Sequence, residues 1–317
     1  MRFKKTLITL GIVLVIFIGL NSAKAYYDGQ VYQGYVPNQP TKYTERNTIG
    51  EESYISKTFT FEGIDGTQIP VSAALPKDKQ GPFPTIIMLY GIGQKMTFLE
   101  DIAEEIAPHG FAIYMMEQYL RGERKVEGVA SDLHEFGGLR ERATLNAVET
   151  RRLVDTISIR PEVDSQSIYL WGVSFGTITG VPTFAQEPRF KGAVFSIGGG
   201  DVHKMFTDSK SFAESGTGGK LMNSMLAWYL KPIDPILYTD NMSGRPILFQ
   251  NAEQDEIIPR SAAEALHNAV GEPKEIIWYD TDHEGKINDQ AVNYFKDGVA
   301  WLKKQEGMEE ETLEPAA

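Results

Sequence analysis

Residues 168–176 read Ile-Tyr-Leu-Trp-Gly-Val-Ser-Phe-Gly, and they predict a strand, a sharp turn and a helix in direct succession. Ile168–Trp171 is a continuous apolar run, which is typical of a strand buried on both faces. Gly172 and Gly176 flank Ser174 at a distance of two residues, so that the strand and the helix can approach closely at the turn. This context favours a nucleophile elbow, which presents Ser174 at the carboxyl edge of a sheet, over an ordinary strand-to-helix turn.

Outside this turn, apolar runs of strand length alternate with stretches that have helical spacing. The predicted buried strands are Thr85–Leu89, Phe111–Met116, Ser167–Trp171, Lys191–Ile197, Pro246–Gln250 and Glu275–Tyr279, and the predicted helices include Phe98–Ala107, Leu139–Ile157 and Ala291–Lys304. Before them, Thr58–Phe61 and Ile69–Leu75 predict an antiparallel hairpin around an Asp-Gly turn. Because strands joined through helices form right-handed crossovers, we expect an α/β fold with a mostly parallel sheet.

The first 25 residues have the layout of a secretory signal peptide. Arg2, Lys4 and Lys5 precede an apolar run, Leu7–Leu20, and a small-x-small sequence ends at Ala25. The apolar run has 14 residues, fewer than the roughly 18–20 that cross a bilayer as a helix. We therefore expect cleavage after Ala25 and a secreted or extracytoplasmic protein. The alternative is an uncleaved leader that anchors the chain to the membrane through residues 6–20.

The remaining chain divides into three predicted parts. Residues 26–50 lack a clear period and predict a loosely packed arm, residues 51–305 form the α/β domain, and residues 306–317 form an acidic disordered tail. About 45 residues separate the strands that end near Ile197 and begin near Pro246, far more than the usual 2–6. We expect residues 201–243, which make up this insertion, to form a cap. One helical face within it either covers the strand ends as a lid or packs on the core, and it comprises Leu221, Met222, Met225, Leu226, Tyr229 and Leu230.

Composition narrows the partners of the chain. Its formal charge is −12, and the remainder carries −16 once the four basic residues of the leader are removed. Nucleic acid is a poor partner for so acidic a chain, and a membrane is expected only through the leader if it is uncleaved. The chain has no cysteine, which excludes disulfides, a thiol nucleophile and cysteine-ligated zinc. No metal and no cofactor are predicted, and the expected partner is a small molecule.

A serine hydroxyl becomes a good nucleophile when a base removes its proton, and in an elbow fold the acid and the histidine follow the serine. The chain has five histidines. His109 and His134 precede Ser174, and His267 lies in a helical pattern where packing or solvation is expected. His283 follows the last predicted strand, at the edge where catalytic groups gather. His283 is therefore the candidate base, and His203 is the reserve.

The carboxylate that orients the base is expected on the loop after Pro246–Gln250. This loop holds Glu253, Asp255 and Glu256. Asp255 is the candidate because its short side chain suits a tight buried hydrogen bond to an imidazole, and Glu253 is the fallback. An oxyanion formed during the reaction would be stabilised by backbone N–H groups. The candidate donors are Phe175, which follows the serine, and Ile92, in a glycine-flanked loop after the first buried strand.

From Thr58 to Lys304 the chain resembles α/β-hydrolases of the dienelactone hydrolase, acetyl xylan esterase and prolyl-oligopeptidase-like group. The motifs that carry the resemblance are Tyr90-Gly91-Ile92-Gly93, Arg121-Gly122-Glu123-Arg124, Arg160-Pro161-Glu162-Val163-Asp164, Gly172–Gly176, Asp234-Pro235, the Asp255 loop and His283. Two positions depart from the pattern. Tyr90 stands where many relatives have a histidine that supports the oxyanion loop, and Phe175 replaces the small or polar residue often found beside the nucleophile.

The resemblance implies an α/β-hydrolase fold and the hydrolysis of a carboxylic ester through an acyl-enzyme, with a small-molecule ester as substrate. Ser174 would attack, His283 would carry the proton and Asp255 would hold the histidine. Two alternatives remain open at this point: a secreted serine peptidase of the prolyl-oligopeptidase-like type, and a catalytically idle α/β-hydrolase fold that serves as a binding protein.

Overall fold

The computed structural model describes residues 2–39, 41–125, 138–213, 216–242 and 244–308, in two compact units divided after Gln33. The N-terminal unit consists mainly of helix α1, Arg2–Asp28, which continues through the predicted cleavage position. Among the described residues, no helix combines the length and the apolar character that crossing a membrane requires. The second unit contains every other element.

The second unit is built on one nine-stranded sheet in the order β1-β2-β3-β5-β4-β6-β7-β8-β9. The strands are β1 Tyr43–Gly50, β2 Tyr54–Glu62, β3 Gln68–Pro76, β4 Phe83–Leu89, β5 Ala112–Met116, β6 Val163–Val173, β7 Phe190–Ser196, β8 Ile247–Ala252 and β9 Lys274–Tyr279. The first three strands and the β3–β5 pair are antiparallel, and all pairs from β5 through β9 are parallel. The predicted α/β class, with a mostly parallel sheet and an antiparallel N-terminal part, is confirmed.

Helices cover both faces of this sheet. They are α2 Phe98–Ile106, α3 Leu139–Ile157, α4 Phe175–Gln186, α5 Val202–Thr207, α6 Lys210–Ala213, α7 Gly216–Leu230, α8 Arg260–Ala269 and α9 Ala291–Glu306. The central strands are largely apolar, and their buried side chains alternate between two cores. In β4, Ile87 and Leu89 pack with α3 and α4, whereas Ile86 and Met88 pack with α2 and α9. Period-two alternation between two buried faces explains why these strands read as continuous apolar runs.

The prediction of a loosely packed arm over residues 26–50 is wrong for its second half. Tyr43–Gly50 forms β1 and pairs with β2, with an irregularity in register between Glu45 and Asn47. All eight residues of β1 are exposed, so the strand has no buried face that could create an apolar alternation in the sequence. Its order comes from hydrogen bonds to β2, which a local pattern does not report.

The prediction that the disordered tail starts at residue 306 is wrong for Glu306. Glu306 is the last residue of α9, and its carboxylate accepts hydrogen bonds from Tyr169 Oη at 2.5 Å and Lys191 Nζ at 2.8 Å. Residues 309–317, on which most of the prediction falls, lie outside the described residues.

The insertion between β7 and β8 is helical, and it comprises α5, α6, α7 and the two 3₁₀ segments Lys231–Ile233 and Pro235–Met242. The 3₁₀ segments contact α4. On α7 the buried residues include Asn223, Ala227 and Leu230, and Asn223 Nδ2 donates to the Phe206 carbonyl at 3.1 Å. The exposed large residues of α7 are Leu221, Met222, Met225, Trp228 and Tyr229. Of the two alternatives for this face, packing on the core is therefore wrong for Leu221, Met222 and Met225, which are exposed, whereas Leu230 of the same face is buried.

His267 is a packing residue of α8, as its helical pattern predicted. It is 4% exposed, with its ring centroid 4.7 Å from that of Phe249 and 5.9 Å from that of Trp278. Within the described residues its Nε2 has no hydrogen-bond partner. Burial, with a smaller contribution from Lys274, lowers the pKa of His267 from 6.5 to about 4.

We expect His267 to make the protein less stable as the pH falls from 6.5 to 4. In this interval the unfolded chain binds a proton at this residue and the folded chain does not, so the free energy of unfolding decreases by up to about 3 kcal/mol. His267→Phe keeps an aromatic ring and removes the proton site. The free energy of unfolding of this variant, measured in urea, should therefore decrease less than that of the wild type between pH 6.5 and 4. The exposed His203, changed to Gln, is the control. If the free energy of unfolding of His267→Phe depends on pH as strongly as that of the wild type, His267 does not cause the loss of stability.

Candidate active site

Ser174 lies at the turn between β6, which ends at Val173, and α4, which begins at Phe175. No connecting loop separates the two elements. Its backbone has φ 54° and ψ −114°, a conformation that L-residues rarely adopt and that is typical of strained functional turns. The flanking glycines are required for steric reasons. A Cβ at Gly176 would overlap the Leu89 carbonyl oxygen, and a Cβ at Gly172 would lie 2.5 Å from the Gly176 carbonyl oxygen.

The structure brings Ser174, His283 and Asp255 together. Ser174 Oγ lies 2.9 Å from His283 Nε2, and His283 Nδ1 lies 2.6 Å from Asp255 Oδ2. The side chains of His283 and Asp255 are 13% and 4% exposed. Because an ionised carboxylate only accepts hydrogen bonds, Nδ1 of the histidine carries the proton and Nε2 accepts from the serine hydroxyl.

Asp255 is itself held by the loop that follows β8. Its Oδ1 accepts backbone N–H bonds from Ile257 and Ile258, both at 2.8 Å, which leaves Oδ2 directed at the histidine. The loop after β9 supplies His283, so both residues lie beyond the carboxyl ends of neighbouring parallel strands. Glu253 and Glu256, the other acids of the Asp255 loop, are exposed.

The other described histidines do not take part in this arrangement. His203, the reserve candidate, is exposed on α5 and is not among the residues that line the cavity around Ser174. His109 lies in the 3₁₀ segment Ala107–His109 after α2. His134 lies outside the described residues.

The two candidate oxyanion donors, Ile92 and Phe175, have unused backbone N–H groups. Within the described part of the chain, neither N–H donates a hydrogen bond. The preceding N–H, that of Gly91, is occupied, because it donates to Gln94 Oε1 at 2.8 Å. This distinction supports the choice of Ile92 within the glycine-flanked loop.

Tyr90 anchors the Ile92 loop to the end of β5. Its hydroxyl donates to Glu117 Oε1 at 2.7 Å and accepts from the Gln118 N–H at 2.8 Å, and Gln118 Nε2 donates to the Tyr90 carbonyl at 2.9 Å. Burial, followed by the charge of Glu117, raises the pKa of Tyr90, so the hydroxyl stays protonated and can donate. Tyr90 therefore supports the loop at the position where many relatives carry a histidine.

Arg142, on α3, joins the two sides of the candidate oxyanion hole. Its Nε and Nη2 donate to Gln118 Oε1 at 3.1 and 2.5 Å, and its Nη1 donates to the Ile92 carbonyl at 3.2 Å. The guanidinium carbon lies 4.9 Å from the centroid of the Phe175 ring. Arg121 Nη2 donates to the same Ile92 carbonyl. Sequence reasoning missed Arg142, because one arginine among the Glu and Arg residues of α3 reads as part of a solvated face, whereas it is 3% exposed.

A cavity of about 580 Å³ opens beside Ser174 and His283. It lies between the Ile92 loop, the ends of β6 and β7, the His283 loop and the first turns of α2 and α9. None of the described residues in 201–243 lines it, so the described part of the predicted cap does not cover this cavity. Among the described residues, no group of acids and histidines is arranged to hold a metal ion.

A mostly parallel sheet, with a strained serine turn at its carboxyl edge and an acid and a histidine on later loops, defines an α/β-hydrolase fold. The chain belongs to the dienelactone hydrolase family, whose sequence pattern matches residues 69–306. The resemblance inferred from the motifs is therefore confirmed, and the chain is a hydrolase.

Solved structures agree with this fold. The acetyl xylan esterase from Paenibacillus sp. R4 is 17% identical, with a TM-score of 0.67 over 91% of this chain and 93% of that one. Acetyl xylan esterase 1 from Thermoanaerobacterium sp. JW/SL YS485 is 19% identical, with a TM-score of 0.61 over 86% and 93%. An acylaminoacyl peptidase from Pyrococcus horikoshii is 14% identical, with a TM-score of 0.61 over 84% of this chain and 43% of that one. A sequence comparison with curated proteins finds no match.

Proposed function

We propose that the chain is a serine hydrolase that cleaves carboxylic esters through an acyl-enzyme intermediate. Ser174 is the nucleophile, His283 is the general base and acid, and Asp255 orients the histidine. The observation that carries this proposal is the hydrogen-bonded path from Ser174 Oγ through both ring nitrogens of His283 to Asp255, with lengths of 2.9 and 2.6 Å. Membership of the dienelactone hydrolase family and the fold shared with acetyl xylan esterases support it.

In the first half of the reaction, Ser174 Oγ attacks the ester carbonyl carbon while His283 Nε2 takes the hydroxyl proton. The carbonyl oxygen gains a negative charge, which the N–H groups of Ile92 and Phe175 stabilise. The carbon–oxygen bond to the alcohol then breaks, and the alcohol leaves with the proton from His283. In the second half, water replaces the alcohol, its proton passes to His283, and the acid leaves as Ser174 Oγ regains the proton.

Two other functions use the same fold. A peptidase needs His283 to protonate an amine leaving group, and the acylaminoacyl peptidase neighbour gives this alternative its support. A catalytically idle binding protein needs no proton path at all. The Ser174–His283–Asp255 path and the unused N–H groups favour catalysis over binding.

One assay separates these functions. Residues 26–317 are tested on p-nitrophenyl esters from acetate to palmitate and on aminoacyl-proline anilides, and the enzyme is labelled with a fluorophosphonate and mapped by mass spectrometry. We expect ester hydrolysis and a single label on Ser174. Turnover of anilides with little ester turnover would indicate a peptidase, and no turnover with no label would indicate a binding protein.

Arg142 is expected to position the Ile92 loop. Arg142→Met removes the hydrogen bonds to Gln118 and to the Ile92 carbonyl, and a displaced donor loop should lower kcat about 10- to 100-fold with a smaller change in KM. Steady-state kinetics on p-nitrophenyl acetate measure the effect. Arg142→Lys, which keeps the charge and part of the hydrogen bonding, should restore part of kcat.

The matched control for this experiment is Arg140→Met on the same helix. Arg140 lies 5.8 Å from the centroid of the Tyr229 ring and has no part in the proposed chemistry. If folded Arg142→Met keeps the wild-type kcat, Arg142 has no positioning role.

We also propose that residues 1–25 are a secretory signal peptide, and that the mature protein acts outside the cytoplasm on a small-molecule ester. The basic residues, the short apolar run and the Ala23-Lys24-Ala25 sequence support this. The charge of the remaining chain disfavours nucleic acid as a partner. N-terminal sequencing of the exported protein tests the proposal: a first residue of Tyr26 supports cleavage, and retention of residues 6–20 indicates an anchor.

A further inference from the structure

The cavity beside Ser174 has a wall of aromatic and aliphatic side chains. Phe98, on the first turn of α2, and Phe295, on α9, face one another with ring centroids 6.2 Å apart. Phe295 in turn packs on the buried Trp171, at 5.7 Å between centroids. Val173 and Ile197 complete the apolar surface near the serine. Phe98, Phe295 and Ile197 are only partly buried, so they keep apolar surface that a ligand can cover.

Several polar side chains along the cavity already have hydrogen-bond partners, whereas the buried hydroxyl of Tyr294, which also lines it, has none among the described residues. Ser196 Oγ accepts from Trp171 Nε1 at 3.0 Å and donates to Gln250 Oε1 at 2.7 Å. The side-chain oxygen of Gln94 accepts from the Gly91 N–H at 2.8 Å. At the exposed rim, Lys286 and Glu284 form an ion pair with one another. A polyhydroxylated ligand would lose its hydrogen bonds to water here and find few replacements, which is unfavourable.

The size of the cavity favours an apolar group larger than acetyl. A volume of about 580 Å³ lies within the range of roughly 300–1,000 Å³ that holds drug-sized ligands. An acetyl group fills only a small part of such a space, and the unfilled apolar surface would remain in contact with water. A larger apolar group on the ester would cover it.

On the basis of the proposed ester hydrolysis, we propose that this cavity is a subsite for a medium-sized apolar group of the substrate, an aliphatic chain or an aromatic ring. The preferred substrates are therefore esters with such a group, in preference to acetylated carbohydrates. Binding of each methylene group in the subsite should raise kcat/KM about fourfold until the cavity is filled. The apolar group can belong to the acid or to the alcohol of the ester. Two series of esters, one with increasing acyl length and one with increasing alcohol length, distinguish these possibilities.

The experiment measures kcat/KM for two series on residues 26–317. The acyl series runs from p-nitrophenyl acetate through butyrate, hexanoate and octanoate, and the alcohol series runs from ethyl through hexyl acetate, with acid release followed in a pH-stat. Acetylated xylan is the carbohydrate comparison. We expect a steep rise in one series, which identifies the half of the ester that the subsite holds, and poor turnover of acetylated xylan.

Phe98 provides matched variants for the wall. Phe98→Asn places a polar amide at the wall, and it should flatten the chain-length dependence, measured within the variant as the ratio of kcat/KM for the octanoate to that for the acetate. Phe98→Leu keeps an apolar wall and should retain the rise. Val292→Asn, at an exposed position of α9 outside the cavity, controls for a polar substitution nearby.

Failure of the subsite and failure of the proposed function give different results. If p-nitrophenyl acetate is hydrolysed through Ser174 but both series are flat or falling, or acetylated xylan is the best substrate, the subsite proposal is wrong and ester hydrolysis stands. If no ester is hydrolysed and the fluorophosphonate does not label Ser174, the proposed function itself is wrong. If Phe98→Asn keeps the full chain-length dependence, the apolar group binds elsewhere.

Discussion

Ser174→Ala is expected to lower kcat for p-nitrophenyl acetate by about a million-fold. Without the hydroxyl there is no acyl-enzyme, and the remaining groups can only bind the ester and stabilise charge on a water attack. The substitution removes one oxygen and keeps the Cβ, so the strained turn between β6 and α4 is preserved. Stopped assays with purified protein over several hours measure the residual rate, and thermal unfolding verifies that the fold is retained.

Two further variants make this result specific. Ser224→Ala removes a serine hydroxyl from α7 that donates to the Lys220 carbonyl at 3.0 Å, and it should leave kcat unchanged. Because the chain contains no cysteine, Ser174→Cys introduces a single thiol, whose titration with a chromogenic disulfide counts the accessible sites. Wild-type activity in Ser174→Ala would show that another residue performs the chemistry.

The sequence was most informative where function is encoded in local geometry. The Ser174 turn is recognisable because a side chain at position 172 or 176 would overlap the neighbouring backbone. The turn therefore requires glycine at both positions, and this requirement is visible within five consecutive residues. The central strands are recognisable because both of their faces are buried. Asp255 and His283 could be chosen by their order and by their place after parallel strands, a rule of topology that does not require coordinates.

Features that depend on distant partners could not be predicted in the same way. Arg142 contacts Gln118 and the Ile92 carbonyl across 24 and 50 residues of chain, and its helix reads as polar. The strand β1 depends on pairing with β2 and has no buried face. The helix α7 places Asn223 inward and Leu221 outward, against its apolar pattern, because the Asn223 amide meets the Phe206 carbonyl. In each case a tertiary contact overrides the local signal.

Asp255→Asn is expected to lower kcat for p-nitrophenyl acetate by about ten-thousand-fold, and the physical reason lies in the loop after β8. The N–H groups of Ile257 and Ile258 both donate to Oδ1 of Asp255, so an asparagine must place its carbonyl oxygen there. Its NH₂ group then faces His283 Nδ1 and donates to it, so the histidine carries its proton on Nε2. In this tautomer His283 cannot accept the proton of Ser174. Steady-state kinetics measure the loss, and thermal unfolding verifies the fold.

Glu253→Gln is the matched control, because Glu253 is the fallback acid of the same loop and is exposed. Its kcat should equal that of the wild type, since the charge that is removed is exposed to solvent and screened, and the hydrogen bond between Asp255 and His283 is kept. The reverse result, a large loss in Glu253→Gln with full activity in Asp255→Asn, would assign the orienting role to Glu253 and require the loop to rearrange during turnover. Asp255→Ala tests the tautomer argument itself. It removes the carboxylate without supplying an amide donor, so His283 is free to hold its proton on Nδ1. If the forced tautomer causes the loss, Asp255→Ala should therefore retain more activity than Asp255→Asn.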